Sequence, residues 1–265
     1  MHSRTRQMAA IVGKDIQSVT TNKRMFSVLL IVPIVLTIFL PTIFIVSLRF
    51  APQGGEELTE LLKQLPLPAQ GDGRLLTLIG LMLNYILPTF FLMIPVMASS
   101  VMAAGSFVGE KEKRTLETLL YCPLSLKEIF RAKVAASFLL SMFVSILSFL
   151  AMLAVIEAET AVFTGNLVLP DAKWLLVMLL VAPSLSLIAI TLIVRVSAKA
   201  QSVEDAQQGA VFLVLPLILL IVGQFSGVLL INGWLMLAIG LVCAVLAAVL
   251  LKRAMGKFRY ETLLQ

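Results

Sequence analysis

Ten of the 25 residues from Gly109 to Lys133, GEKEKRTLETLLYCPLSLKEIFRAK, are charged, while the sequence on both sides is almost wholly apolar. Catalysis is a poor account of them. The chain has one histidine, His2, and two cysteines, Cys122 and Cys243, so it offers no metal-ligand set and no Ser-His arrangement. It has no GxxxxGK[ST] loop to cradle nucleotide phosphates. The long apolar runs contain no carboxylate of the kind that marks a proton or ion relay. Any work done by this protein is therefore expected to draw its energy from elsewhere.

The chemistry left to the insert is recognition. Thr115–Tyr121 sets Leu116, Leu119 and Leu120 on one side and Glu117 and Thr118 on the other, and Pro123 interrupts. Ser125-x-x-Glu128 fits a capping box for a second short helix. There Leu126, Ile129, Phe130 and Val134 form the apolar stripe, and Lys127, Glu128 and Arg131 face away. Two short amphipathic helices bent at Cys122-Pro123 suit docking against a protein surface. The alternative is a solvated loop against lipid headgroups.

The elements that position this insert are apolar. The 265 residues are 59% hydrophobic and 14% charged, against about 25% charged in soluble domains. Charge is absent from Met25–Leu48, Leu75–Gly109, Val134–Ile156, Trp174–Val194 and Ala206–Leu251. One helical crossing takes about 20 apolar residues, and a central charge costs about 2.5–3.5 kcal/mol. The last run, of 46 residues, is long enough for two crossings split by the turn signal Asn232-Gly233. These runs predict an all-α membrane protein of one domain, residues 1–265. Its six transmembrane helices fall at about 25–48, 75–108, 134–156, 174–194, 210–231 and 234–251, and Pro88 and Pro95 kink the second.

Lys and Arg fix the expected orientation. Segments 1–24, 109–133, 195–205 and 252–265 hold 17 of the 21 basic residues, which places them and both termini in the cytoplasm. The net charge of +6 is thus a topology signal and an attraction to membrane lipids, with no nucleic-acid partner implied. The N-terminus lacks the pattern of a cleavable signal peptide. Met8, Ile11, Val12, Ile16 and Val19 recur at helical spacing, predicting an amphipathic interfacial helix within 1–24. It is either an anchor or a lever on the first span.

Polar groups inside the spans are few. Asn84, Tyr85 and Thr89 in the second, and Gln224 and Ser226 in the fifth, are candidates for lining a path. Ser137, Ser141, Ser145 and Ser148 make one stripe in the third, a pattern that usually serves helix packing. With no buried charge expected, the path suits amphipathic or hydrophobic cargo.

The insert resembles the signature of type-2 ABC transporter permeases. Glu110, Glu112, Thr115, Leu116, Glu117, Leu119, Leu120, Pro123 and Lys133 match that pattern, and Arg114 stands where Gly is often seen. The resemblance implies that 109–133 is a cytoplasmic coupling region, with a coupling helix between spans 2 and 3. Its contacts with an ATPase would be Glu110, Glu112, Arg114, Thr115, Leu116, Glu117, Leu119, Leu120, Lys127, Phe130 and Arg131. It further implies a separate ABC ATPase subunit in two copies, carrying ATP and Mg, and a second permease chain, identical or homologous. The chain itself would hold no cofactor and no metal and would be no enzyme. A bacterial plasma membrane and export of a drug, antibiotic, peptide or lipid-like substrate follow from the same likeness. Export of sodium, or a scaffold that docks a cytoplasmic protein without transport, are the alternatives.

Overall fold

The structure is a computed structural model that describes residues 2–50, 74–112, 124–209, 211–225 and 233–257. The described residues form twelve α-helices: α1 (His2–Thr21), α2 (Lys23–Ile34), α3 (Leu40–Phe50), α4 (Arg74–Leu81), α5 (Leu87–Phe91), α6 (Met93–Glu112), α7 (Leu126–Thr164), α8 (Lys173–Leu176), α9 (Ala182–Ser197), α10 (Val203–Gln208), α11 (Val211–Phe225) and α12 (Gly233–Lys257). Five helical stretches are long and apolar enough to cross a membrane: Lys23–Leu48, Leu75–Glu112, Leu126–Thr164, Lys173–Ser197 and Gly233–Gly256. The expected span at 210–231 is described only as far as Phe225. Its 15 helical residues reach about 22 Å, short of a core of about 30 Å.

Three of the five stretches are interrupted by one π-helical turn each, at Val35–Phe39, Met82–Ile86 and Val177–Val181. Each turn ends two residues before a proline: Pro41, Pro88 and Pro183. A proline lacks the N–H and drives its ring into the carbonyl four residues back. Widening the preceding turn relieves that clash. Leu40, Leu87 and Ala182 each bond five residues back, to Val35, Met82 and Val177. The widened turn strands a carbonyl. Leu87 reaches past Leu83 to Met82, and Pro88 has no donor, so the Leu83 oxygen takes the Trp174 indole Nε1 at 3.1 Å instead. Trp174 then stacks edgewise on Phe91 (5.4 Å between centroids) and lies tilted at 4.9 Å from Phe149.

This aromatic knot is the centre of a core that includes Met82, Leu87, Met152, Ile156, Val177, Leu217 of α11 and Met236 of α12. A second core lies at the other end of the bundle. It joins Ala103 and Val108 of α6, Phe130 of α7, Ile193 of α9, Ala206 of α10 and Ala254 of α12. The second and fourth stretches are the central ones, 56% and 61% buried, whereas α12 is 17% buried and presents Val242 and Val245 outward.

Two expectations are corrected. The short helix predicted to begin at Leu126 is not separate from the third span. No Gly or Pro stands between Ser125 and Gly165, and one helix runs through all 39 residues, about 58 Å. The capping box at Ser125 and Glu128 starts it. Gly165, at φ 70°, ends it in the left-handed conformation that glycine adopts freely. The same continuity carries Glu157 and Glu159 into the helix, where expectation had the external segment begin at 157. There Thr42 of α3 donates to Glu159 at 2.5 Å. Ser202 heads the six-residue α10 ahead of α11, its side chain accepting from the Asp205 amide at 3.1 Å.

Gly240 of α12 is where the outer helix meets the centre. A Cβ there would stand 2.7 Å from Leu180 Cδ2 and 3.2 Å from Val181. Gly240→Leu should therefore lower the thermal midpoint in detergent by the equivalent of about 1–3 kcal/mol. Gly13→Ala on α1, where nothing lies within 4 Å, should leave it unchanged or raise it slightly.

Candidate functional site: a buried ion cluster at the α1 end

At the end of the bundle that carries α1, the apolar stripe predicted for residues 6–19 is present, but it packs on protein. Ile11 meets Leu124, Ile129 and Ala132, while Val19 meets Leu29, Val101, Met102 and Ala136. Between Ile11 and Val19, one helical turn from each, stands Asp15. It is 3% exposed. A carboxylate seated in an apolar stripe needs a partner, and the partner is Lys133 of α7, also 3% exposed.

The Lys133 ammonium lies 2.9 Å from Glu110 Oε2, 3.6 Å from Asp15 Oδ2 and 2.5 Å from the Ser106 carbonyl oxygen. The Ser106 hydroxyl donates a short hydrogen bond to Asp15. On the outer side of the cluster, Lys14 Nζ sits 2.7 Å from Glu110 Oε1, and the Phe107 ring lies 5.6 Å from the Lys133 ammonium. Two carboxylates and two ammonium groups thus close a neutral set across α1, α6 and α7. Burial holds the Asp15 carboxyl above its ordinary range, against the opposing pull of Lys133 and the Ser106 hydroxyl. The buried charged residues Asp15, Glu110 and Lys133 lie outside the expected spans, in which no charge was anticipated. Lys133 was legible only as the end of a motif, and Asp15 and Ser106 were missed. The signal for Asp15 was its register: Ile11, Asp15 and Val19 repeat at i, i+4, i+8.

The other predicted contact residues fall into three groups. Phe130 is buried in the core against Val108 and Ile193, with Phe107 5.9 Å away, so a partner cannot touch it. Lys127 and Arg131 of the same helix are exposed. Glu112 ends α6 and accepts the Val203 amide of α10 at 3.3 Å. Arg114, Thr115, Leu116, Glu117, Leu119 and Leu120 lie outside the described residues.

The path candidates also separate. The Asn84 side chain accepts the Asp171 amide at 2.8 Å, and the Tyr85 ring lies 4.3 Å from Lys173 Nζ, so both tie the second stretch to the 165–173 connection. Thr89 is 1% exposed, and its hydroxyl has no hydrogen-bond partner among the described residues. Leaving a hydroxyl unsatisfied costs about 1–3 kcal/mol. Gln224 lies on α11, and Ser226 falls outside the described residues. All four serines of the α7 stripe are buried. Ser141 shares a hydrogen bond of 2.6 Å with Ser186 of α9, and Ser137, Ser145 and Ser148 bond the carbonyls one turn back.

A multi-pass helical membrane protein whose N-terminal helix is bolted to two spans by buried ions is the class this arrangement defines. Residues 6–222, from α1 into α11, match the family model described as ABC-2 type transporter, and the chain belongs to that family. It is accordingly a membrane transport component of the permease type. No curated protein and no solved structure is matched by the chain.

The cluster makes two opposed predictions, both read as thermal midpoints in detergent. Lys133→Met leaves two buried carboxylates short of a cation and should cost about 3–5 kcal/mol. Asp15→Asn removes a carboxyl whose ionised form the fold disfavours. The contribution of Asp15 to stability is largest below its unfolded value near 3.8 and is lost as pH rises through the raised folded value. Wild type should therefore gain in midpoint relative to Asp15→Asn as pH falls from neutral toward the unfolded value near 3.8.

Proposed function

We propose that this chain is the membrane-spanning permease subunit of an ATP-driven exporter. It would carry an amphipathic or hydrophobic substrate (drug, antibiotic, peptide or lipid-like) across a bacterial plasma membrane. A separate ABC ATPase in two copies would hold ATP and Mg, and a second permease chain, identical or homologous, would complete the path. Family membership supports the class. The observation that carries the mechanism is the geometry of α7. Its exposed Lys127 and Arg131 stand less than two turns from Lys133, which is ionically joined to α1 and α6. A push delivered to that face of α7 therefore reaches α1 and, through Asn22, the first span.

On this reading the 109–133 region is the ATPase dock, and the loop from Ser197 to Gln208 is a smaller second contact. Six crossings, with both termini cytoplasmic, complete the topology. Ala206 belongs to the core at the α1 end, and Leu217 of α11 and Met236 of α12 to the core at the other, which supports a crossing by α11. Gln224 and Ser226 are candidates for contact with cargo, and the buried Thr89 hydroxyl, unsatisfied among the described residues, would meet it only in a state that opens the core around it.

The chain purified from its native membrane should bring with it an ATP-hydrolysing subunit. Glu117→Arg, or Lys127→Glu with Arg131→Glu, should abolish that association while leaving the helical circular dichroism unchanged. Intact wild-type protein without any ATPase would overturn the exporter reading and favour a scaffold.

A further inference from the structure

A cavity of about 570 Å³ opens beside the ion cluster, between the α1–α2 elbow, the end of α6 and the short helix α10. One wall is basic, formed by Lys23 and Arg24. The facing wall is acidic, formed by Glu112 and Glu204. The walls meet at one point, an ion pair of 3.5 Å between Arg24 and Glu204 whose side chains are both largely in solvent, and Lys23 has no ion pair among the described residues. An exposed pair of that length contributes little.

The floor of the cavity is Gly105 and Gly109, one turn apart on α6. They differ in what they permit. A Cβ on Gly105 would crowd Met25 and Val19 at 3.1 Å, so glycine is required there by packing. A Cβ on Gly109 would meet only Val203, at 3.8 Å, an ordinary contact. The space above Gly109 is not needed to seat a neighbour. It remains as cavity volume.

The position sets the chemistry. Lys23 opens the first membrane-crossing stretch and Glu112 closes the second, so the cavity lies at headgroup level. Immediately along α2, Phe26, Leu30 and Ile31 present exposed apolar surface on which acyl chains can lie. A purely basic pocket at this level takes anionic lipid. Walls of opposite sign take a headgroup bearing both charges.

We propose that this cavity binds the headgroup of a zwitterionic, primary-amine phospholipid of the adjacent leaflet. Its phosphate lies against Lys23 and Arg24, and its ammonium against Glu112 and Glu204. The site stands on the cavity and its walls and needs no ATPase, so it survives or fails separately from the exporter reading.

The test is native mass spectrometry of the detergent-solubilised full chain, offered equimolar phosphatidylethanolamine, phosphatidylcholine and phosphatidylglycerol. Wild type should retain phosphatidylethanolamine at least about fivefold over either competitor, the factor that one charge-assisted contact of roughly 1 kcal/mol supplies. Glu112→Gln with Glu204→Gln should shift retention to phosphatidylglycerol, and Gly109→Leu should abolish it. Equal retention of the three lipids by wild type would overturn the proposal, as would a double variant with unchanged preference. Soluble glycerophosphoethanolamine binding as tightly as the whole lipid would overturn the assignment to a lipid. If Gly109→Leu does not fold, the glutamine variants decide alone, since both residues are exposed and Glu112→Gln keeps an oxygen that can accept the Val203 amide.

Discussion

An ammonium group out of water must have its charge and its donors met, and Lys133 is the residue on which that demand falls. A lone buried ion costs several kcal/mol even after relaxation. Asp15, Glu110 and the Ser106 carbonyl meet it together, drawing on helices that are far apart in sequence. Apolar contacts alone would tolerate small slides of α1 over α6 and α7, because dispersion varies gently with position. The ion set does not. A shift that separates Lys133 from Glu110 exposes both to the full cost of unpaired burial. The start of α7 therefore either moves together with α1 and α6, or rearranges to a second set of partners. Rigid-body transmission is what such an all-or-none contact imposes.

The two ends of the bundle solve the problem of irregular backbone differently. At the α1 end, α6 runs unbroken to Glu112, close approach is secured by Gly105 and Ala103, and the polar demand comes from side chains. At the far end the demand comes from the main chain. Pro88 removes a donor and the widened turn before it strands the Leu83 carbonyl. In a low-dielectric surround that oxygen needs a donor, and Trp174 supplies one while filling the space between Phe91 and Phe149. The indole is thus fixed by a backbone defect rather than by packing alone. The same proline spacing before Pro41 and Pro183 indicates one local rule applied three times.

Much of this was legible in the sequence, and the boundary of legibility has physical reasons. Uncharged runs announce crossings because each buried charge is individually costly, so five stretches fell where composition placed them. The Ser125–Glu128 capping box was readable because it is local. What failed was continuity and register. Pro123 lies outside the described residues, but nothing after Ser125 breaks the helix, and a capped short helix was expected where the apolar pattern simply runs on to Gly165. Asp15 was passed over among charged neighbours although its position between Ile11 and Val19 put it on the buried side. An irregularity at Pro88 was legible, but not that it takes the form of a π turn repeated before Pro41 and Pro183. Pairing of Lys133 with Asp15, 118 positions away, is a tertiary fact that one sequence does not carry.

The charged insert thus answers several needs. Among its described residues, Glu110 and Lys133 turn inward to the ion cluster, Glu112 secures α10, and Glu128 caps α7. Each of these is accounted for by the fold. Lys127 and Arg131 are not: they are exposed, they form no ion pair among the described residues, and the helix would stand without them. Removing the structural charges from consideration leaves a cationic face on the first turns of α7. A surface complementary to it is acidic, and steering by such complementarity acts on the rate and orientation of encounter more than on its strength. On the proposed docking reading the strength would come from the apolar Leu116, Leu119 and Leu120, and the sequence would divide attraction and grip between the two halves of one insert.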